Sequence, residues 1–366
     1  MPAQSPDVLG AVRDLARREL SPLVAAIDRE GHYPEAVLRA FGAAGAFGAH
    51  GAGLAEGRPG PGLRTAIEAM SVASEYCLST AFCMWCQNAL AWYIALADNP
   101  GPRALLGPSV ARGQRLGGTG LSNPMKAFFG IERIKLRAQR VRGGYQVKGV
   151  LPWVSNLGPE HCFGAIFELY DTPEHRVMAL VNCSGDGVKI VQNDHFLALE
   201  GTRTFSVQLR NAFIADDDVL ADPIDFYVPR IRAGFILLQS GMAFGLIRNC
   251  IQLMKQERTT IAHVNKYIEK QPEDFESMLA SLQDEVGSLC ETPFEEEPAY
   301  FRRVVEARLA AGEATVQAAH FAMLHQGAKG YLSIGAAQRR LRESYFVAIV
   351  TPAVKQLRKM LVGMPA

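Results

Sequence analysis

Apolar positions follow a helical period at both ends of the chain and an alternating period in the middle. In VRDLARRELSPLVAAIDREG, Val12, Leu15 and Ile27 fall near one face, with charged residues between them. Between about residues 116 and 225, β-branched residues alternate with polar ones, and Gly143-Gly144 interrupts the alternation as in a hairpin. The pattern predicts an α+β fold with an N-terminal helical domain (1–115), a middle antiparallel, barrel-like β domain (116–225) and a C-terminal four-helix bundle (226–366).

One segment of the N-terminal part, LRTAIEAMSVASEYCLSTAFCMWCQNALAWYIALA, is apolar on nearly all faces and predicts a buried helix pair. It contains Cys77 and the pair Cys83-x-x-Cys86. A second cysteine pair or a histidine partner is missing nearby, so buried thiols are favoured over a zinc or redox site. The 7 cysteines are an odd number without a secretory signal, which argues against a disulfide framework. We predict no metal site.

Composition and charge narrow the classes of function. The 366 residues are 48% hydrophobic and 20% charged, as in ordinary globular proteins. Lysine and arginine total 38 against 37 acidic residues, and the balance lacks the basic footprint of a nucleic-acid-binding protein. The start of the chain lacks the apolar core of a signal peptide, and no uninterrupted apolar stretch of membrane-spanning length is evident. We therefore expect a cytoplasmic protein without nucleic-acid or membrane partners.

Four local segments carry a resemblance to a known family: LSPLVAAIDREGHYPEAVLRAFGAAGAFG, GVLPWVSN, ALEGTRTFSVQLRNAFIADDDVLAD, and the stretch from Gly330-Tyr331 to Arg342-Glu343. In these segments and in the order of its domains, the chain resembles the acyl-CoA dehydrogenase superfamily of flavoproteins. The resemblance implies an FAD-dependent oxidoreductase that acts on a small molecule such as an acyl-CoA. It also implies an electron-transferring flavoprotein or a flavin reductase as partner, and a homodimer or homotetramer.

The resemblance also assigns flavin-binding residues. Ser122 in LSNP and Ser155 in WVSN take positions that hydrogen-bond the flavin, and Trp153 takes a position that packs against its ring. Arg258 corresponds to an arginine that reaches the FAD pyrophosphate of a neighbouring subunit, and Gly327 and Gly330 correspond to glycines beside the adenosine part. Simpler structural interpretations of these residues also stay open. In them Trp153 is a core aromatic residue, Ser155 is an ordinary strand residue, and Arg258 is a solvated arginine at a helix end. The two glycines also fit helix termination.

The departures from the family concern the catalytic base. Dehydrogenases of this family remove the substrate's α-proton with a glutamate, and one position for it lies eight residues after the Arg-Asp pair. Counted from Glu343, that position is Thr351, followed by Pro352. Gly234 and Phe235 stand at the alternative position. A threonine hydroxyl does not accept a proton near neutral pH, and the loss of a general base typically costs about 10²–10⁴ in rate.

A second departure lies in a loop that helps to seat the cofactor and CoA. The family's Glu-Pro-x-x-Gly-Ser-Asp is replaced by the segment from Asn123 to Gly130, which contains Lys126. Lys126 fits either an exposed lysine or a contact to an anionic group.

Three functions therefore stay open. The first is an acyl thioester dehydrogenase with its base recruited from elsewhere. The second is a flavin monooxygenase on the same fold, which uses reduced flavin and oxygen and needs no α-proton base; His320 and His325 are then candidate acid–base groups. The third is a binding or assembly subunit without catalysis.

Overall fold

The computed structural model describes residues 7–49, 62–193 and 195–364, with the backbone only at Thr259. Its first part is helical. The helices there are α1 (Val8–Leu15), α2 (Val24–Glu30), α3 (Glu35–Ala43), α4 (Gly62–Tyr76), α5 (Leu78–Ala95), α6 (Pro100–Leu105) and α7 (Gly107–Ala111). Gly31 ends α2 at φ +68°, a left-handed conformation that glycine adopts without steric cost.

Helices α4 and α5 form the buried helix pair that the sequence predicted. All residues of α5 from Leu78 to Ile94 are buried, because this helix is apolar around its whole circumference. Along α4, Ala66, Met70 and Ala73 are buried at helical spacing. The side chains of α5 therefore contact other elements on every face of the helix, and some of them form part of the wall of the cavity described below.

The middle of the chain forms an eight-stranded sheet. The strands are β1 (Gly117–Thr119), β2 (Arg137–Val141), β3 (Gly144–Val154), β4 (Cys162–Leu169), β5 (Arg176–Asn182), β6 (Val188–Gln192), β7 (Phe205–Ala215) and β8 (Val219–Ala221), with a short helix, α8 (Ser122–Phe128), after β1. The predicted hairpin is confirmed, because β2 and β3 pair around Gly143, whose φ is +79°.

The sheet departs from the prediction of purely antiparallel pairing. Its order is β6-β7-β3-β2-β4-β5-β8, with β1 beside β4. The pairs β1–β4 and β2–β4 are parallel, and the other pairs are antiparallel. Strand β7 occupies the free edge of β3 along most of its length, so β4 adds to the edge of β2 instead. The result is a mostly antiparallel sheet.

The last part of the chain is helical. Its helices are α9 (Tyr227–Leu237), α10 (Ser240–Gln256), α11 (Arg258–Asn265), α12 (Pro272–Leu289), α13 (Pro298–Gln326), α14 (Ala336–Ile349) and α15 (Val354–Val362). Helices α10, α12, α13 and α14 pack on one another as a bundle, and α4 packs along α10. The N-terminal and C-terminal helices consequently share one hydrophobic core, while the sheet has a core of its own.

Among the helices of the described residues, one run, Tyr227–Gln256, is long and apolar enough by composition to cross a membrane, although no such stretch was expected from the sequence. Within the protein, 89% of its most apolar window is buried. This burial is typical of a core helix, because the apolar faces are already covered by other helices.

Candidate functional site

A cavity of about 890 Å³ lies where α5, the sheet and the connection between α14 and α15 meet. Its aromatic wall residues are Phe82, Trp85, Trp153, Phe196, Phe235, Tyr345 and Phe346. Its hydroxyl-bearing residues, besides Tyr345, are Thr119, Ser122, Ser155, Thr202, Thr204 and Thr351. A volume of this size falls within the usual range for cofactor and substrate sites, about 300–1,000 Å³.

Four residues that the sequence analysis singled out lie together in this cavity. Ser122, Trp153, Ser155 and Thr351 all line it, although they come from three separate segments of the chain. Ser122 is the first residue of α8, and its Oγ lies 2.9 Å from the Oγ1 of Thr351. Thr351 is the residue that stands at the predicted position of the base. The Trp153 ring meets Phe196 edge-on, with 5.8 Å between the centroids. Their roles toward a flavin stay predictions.

Three hydroxyls on the sheet side of the cavity form a hydrogen-bonded chain. Ser155 Oγ lies 2.6 Å from Thr204 Oγ1, which lies 2.8 Å from Thr202 Oγ1. Thr202 Oγ1 in turn donates to the backbone oxygen of Leu199 at 2.7 Å. Thr202 and Thr204 were not identified from the sequence, because nothing in the run GTRT distinguishes them from ordinary loop threonines.

The end of β3 is held by its asparagine. Asn156 has φ +63°, and its side-chain amide donates to the Gly117 oxygen at 2.6 Å while its Oδ1 accepts the Tyr33 hydroxyl at 2.7 Å. The Nδ1 of His161 lies 2.9 Å from the Asn156 oxygen. Burial lowers the pKa of His161, so the imidazole is neutral at neutral pH and donates this bond. These bonds fix Ser155 and Trp153 on the cavity wall.

The Thr351 backbone is held from the opposite side by a buried polar network. Gln239 donates through Nε2 to the Thr351 oxygen at 2.9 Å and accepts from Arg308 Nε at 2.6 Å. Arg308 also donates to the Val347 oxygen at 2.6 Å. Its guanidinium is buried, and this burial lowers its pKa to about 10. This network could not be predicted from the sequence, because its members come from three separate helices or helix ends.

The charged residues that line the cavity are basic. Lys126, Arg342 and Lys355 line it, and no aspartate or glutamate does so within the part of the chain that the structure describes. Lys126 lies 3.5 Å from Glu132, and Arg342 donates to Asp28 at 2.6 Å and to the Leu197 oxygen at 3.0 Å. These cations suit an anionic or polar ligand group, and the described wall residues offer no general base of carboxylate type.

The alternative base position is also without an acid. Phe235 lines the cavity, and a Cβ on Gly234 would lie 2.5 Å from the Trp92 ring. Any side chain at residue 234 would therefore require Trp92 to shift. Both positions that the resemblance assigns to the base thus hold residues that cannot accept a proton at neutral pH.

The remaining predicted residues lie elsewhere. Arg258 forms an ion pair with Glu273 on α12, and Gly327 follows α13 at φ +56°. A Cβ on Gly330 would lie 2.7 Å from Gln326 Cβ, so this glycine permits a close turn. None of the three lines the cavity, and the structure does not bring them to Ser122, Trp153 and Ser155.

Several other expectations are corrected or confirmed. His320 packs edge-on against Phe321, and His325 Nε2 lies 3.0 Å from the Lys270 oxygen; neither lines the cavity, so the structure does not support them as its acid–base groups. The segment expected as a loop from Asn123 begins instead within α8. The cysteines are unpaired and buried, as predicted, and no group of metal-ligating residues occurs in the described ranges.

Comparisons with known proteins agree with this architecture. Residues 5–114 match the family model described as acyl-CoA dehydrogenase, N-terminal domain. A curated relative, benzylmalonyl-CoA dehydrogenase from Aromatoleum aromaticum, is 24% identical over 243 residues, covering 63% of this chain and 61% of its own length. The chain thus matches less than two thirds of that relative.

Solved structures share the fold over almost the whole chain. Butyryl-CoA dehydrogenase from Megasphaera elsdenii has a TM-score of 0.84 at 15% identity, covering 98% of this chain and 96% of its own. Dibenzothiophene monooxygenase from Paenibacillus sp. has a TM-score of 0.81 at 15% identity, covering 97% and 96%. Dehydrogenases and a monooxygenase therefore share this helix–sheet–helix architecture. The N-terminal part of the chain thus matches the acyl-CoA dehydrogenase family model, and the chain shares the fold of these solved structures over nearly its full length.

Proposed function

We propose that the protein is a flavin-dependent monooxygenase that binds reduced flavin and uses oxygen to oxidise a small, largely apolar molecule. One observation carries the proposal: the cavity combines hydroxyl and aromatic residues suited to a flavin with a wall that has no described carboxylate. The protein in this interpretation is a cytoplasmic homodimer or homotetramer supplied with reduced flavin by a separate reductase.

The residues present fit a flavin. Flavin rings are held by hydrogen bonds to their ring nitrogens and oxygens, and Ser122, Ser155 and Thr204 offer hydroxyls for this purpose. Trp153 offers an aromatic surface, and Lys126 and Lys355 offer positive charge for a phosphate. A bound flavin supplies the redox chemistry; the described residues bind it, orient it and exclude water.

The missing base separates this reaction from desaturation of an acyl thioester. Removal of an α-proton needs an acceptor within hydrogen-bond reach, and Thr351 and Phe235 provide none. A monooxygenase needs no such base, but it does need a site that keeps water out. The rings of Phe82, Trp85 and Phe235 pack together beside the cavity, with centroids 5.6 Å apart for Phe82–Trp85 and 5.1 Å for Trp85–Phe235.

The experiment compares oxidised and reduced flavin on the same protein. Purified protein is mixed with FAD, passed through gel filtration, and its visible spectrum recorded; the mixture is then repeated anaerobically with reduced FAD. We expect reduced FAD to be retained and then to react with oxygen at a rate different from that of free reduced FAD. Retention of neither state would contradict the proposal and favour a subunit without catalysis.

A second candidate is the acyl thioester dehydrogenase, favoured by the position of Thr351 on the cavity wall. Thr351→Glu places a carboxylate at that position. If the cavity accepts acyl-CoA, we expect this variant to bleach its bound flavin anaerobically with some member of an acyl-CoA chain-length panel, while the unaltered protein does not. Thr351→Gln is the matched control, because it has similar size without a proton acceptor. Bleaching by the unaltered protein would contradict the monooxygenase proposal.

A further inference from the structure

Arg308 carries a buried positive charge that no acid balances within the described ranges of the chain. Its two bonded nitrogens donate to the uncharged side chain of Gln239 and to the uncharged backbone oxygen of Val347. The third nitrogen, Nη1, is buried, and no described residue accepts a hydrogen bond from it. Burial lowers the pKa of Arg308 to about 10, so the guanidinium keeps its charge at neutral pH. An unpaired buried charge is costly to a fold.

The Nη1 atom of Arg308 lies behind the part of the cavity wall that carries Thr351. A Cβ on Gly312 would lie 2.9 Å from Nη1, 3.3 Å from Val354 Cγ2 and 3.9 Å from Ala348 Cα, so these atoms surround one point. Val354 and Ala348 line the cavity, and Thr351 lies between them in the chain. The charge of Arg308 therefore raises the electrostatic potential at this end of the cavity, where buried surroundings screen it little.

The cations that line the cavity are placed differently. Lys126 and Arg342 each form an ion pair with an acid, which offsets their charge. Lys355 is exposed, so water and salt screen it. Arg308 combines burial with the lack of an acid partner among the described residues, and its charge is consequently available to a ligand.

The geometry points to a substrate that carries a carboxylate, which the charge of Arg308 favours at the Thr351 end of the cavity. This inference rests on the proposed function, because it takes the ligand as the molecule that is oxidised. The hydroxyls of Ser122 and Thr351 share one hydrogen bond, which uses one of their two hydrogens, and the other can be donated to a carboxylate oxygen. Arg308 acts through its field from behind the wall, and it sets specificity without contacting the reacting atoms.

The test compares two ligands of similar shape, cinnamate and cinnamamide, of which only cinnamate is an anion at pH 7.5. Isothermal titration calorimetry measures both dissociation constants anaerobically, on protein saturated with reduced FAD. We expect the unaltered protein to bind cinnamate about tenfold more tightly than cinnamamide. Equal affinity, or tighter binding of the amide, would overturn the inference.

A matched pair of variants at Gln239 separates charge from shape. Gln239→Glu keeps the size of the side chain and gives Arg308 a carboxylate partner, so we expect the preference for cinnamate to fall at least about threefold. Gln239→Met also removes the hydrogen bond to the Thr351 oxygen but adds no charge, and it should keep the preference. An equal loss of preference in both variants would assign it to the position of Thr351 and overturn the inference.

A third variant tests the exposed cation. Lys355→Gln should retain most of the preference for cinnamate, because solvent screens Lys355. Loss of the preference in Lys355→Gln, together with its survival in Gln239→Glu, would overturn the role given to Arg308.

Retention of reduced FAD and its reaction with oxygen report separately on the proposed function. If the protein binds no flavin, the proposed function fails, and the same titrations without flavin still decide whether the cavity selects an anion through Arg308.

Discussion

At the scale of single residues, burial controls the protonation of the cysteines, including the one on the cavity wall. Cys86 lines the cavity, and burial raises the pKa of its thiol. Burial also raises the pKa of Cys250 to about 12. Because the thiolate is the reactive form, these thiols are chemically quiet in the folded protein at neutral pH.

Thiol labelling should show directly that the cysteines react more slowly in the folded protein than in the unfolded chain. We expect almost no reaction of the native protein with a chromogenic disulfide reagent at pH 7.5, and reaction of all 7 cysteines once urea exposes them. The reagent's absorbance against time gives both values. Rapid native labelling, located by peptide mass at Cys86, would mean that the cavity admits the reagent and that its thiol is not held neutral.

A second prediction concerns pH and His161. Burial lowers its pKa in the folded state, so the unfolded chain binds the proton more readily than the folded chain. The free energy of unfolding should therefore fall as pH drops below about 6.5, the ordinary histidine pKa. Urea unfolding at pH 7.5 and pH 5 measures the change. In His161→Gln, which cannot titrate, we expect a smaller decrease; an equal decrease would assign the effect to other groups.

At the scale of elements, a buried ion pair joins α14 to the N-terminal helices. Arg340 donates to Glu343 at 2.8 Å, and the two side chains are 0% and 2% exposed. Glu343 also accepts from the Leu78 backbone N–H at 3.3 Å, at the start of α5. A carboxylate at a helix N-terminus is favourable, because unpaired N–H groups there carry partial positive charge. This contact fixes α14, and through it one wall of the cavity, against α5.

Removal of that carboxylate should destabilise the fold. Glu343→Gln leaves Arg340 buried without a counter-charge, and we expect the free energy of unfolding to fall by about 3–5 kcal/mol. Urea denaturation followed by circular dichroism measures it. Glu306→Gln is the control, because the Arg302 and Glu306 side chains are 29% and 47% exposed and their pair should contribute less than about 1 kcal/mol. A loss for Glu343→Gln as small as for the control would contradict the role given to this pair.

Element types could be predicted from the sequence, but their partners only in part. The buried pair α4–α5 and the hairpin at Gly143 follow from local periodicity and turn chemistry, which the sequence contains. The parallel β2–β4 pairing depends on which edge β7 occupies, and no local pattern records that. Thr202, Thr204 and Arg308 acquire their roles only through contacts with distant segments.

At the scale of the whole molecule, the cavity depends on all three parts of the chain. Phe82 comes from the N-terminal helices, Ser155 from the sheet and Thr351 from the C-terminal helices. A ligand bound there bridges the helical core and the sheet core. Arg258 lies away from this cavity, so the role that the resemblance gives it, toward the FAD of a neighbouring subunit, depends on assembly.

Comparison of FAD with FMN tests whether Arg258 contacts the pyrophosphate of FAD. FAD has a pyrophosphate and FMN does not, so Arg258→Ala should weaken FAD about tenfold while leaving FMN unchanged. Arg303→Ala is the matched control, because Arg303 is similarly exposed and paired with Glu285. Gel filtration of each variant checks that the oligomer persists. An equal effect on FAD and FMN, or none on either, would exclude a pyrophosphate contact.

The Ser122–Thr351 contact separates the chemistry of the cavity from the stability of the scaffold. Thr351 lies in the connection between α14 and α15, and its hydroxyl bonds Ser122 across the cavity wall rather than filling a helical core. Its side chain can therefore be exchanged without rebuilding the helices on either side. This position is accordingly suited to engineering a new reaction into the cavity.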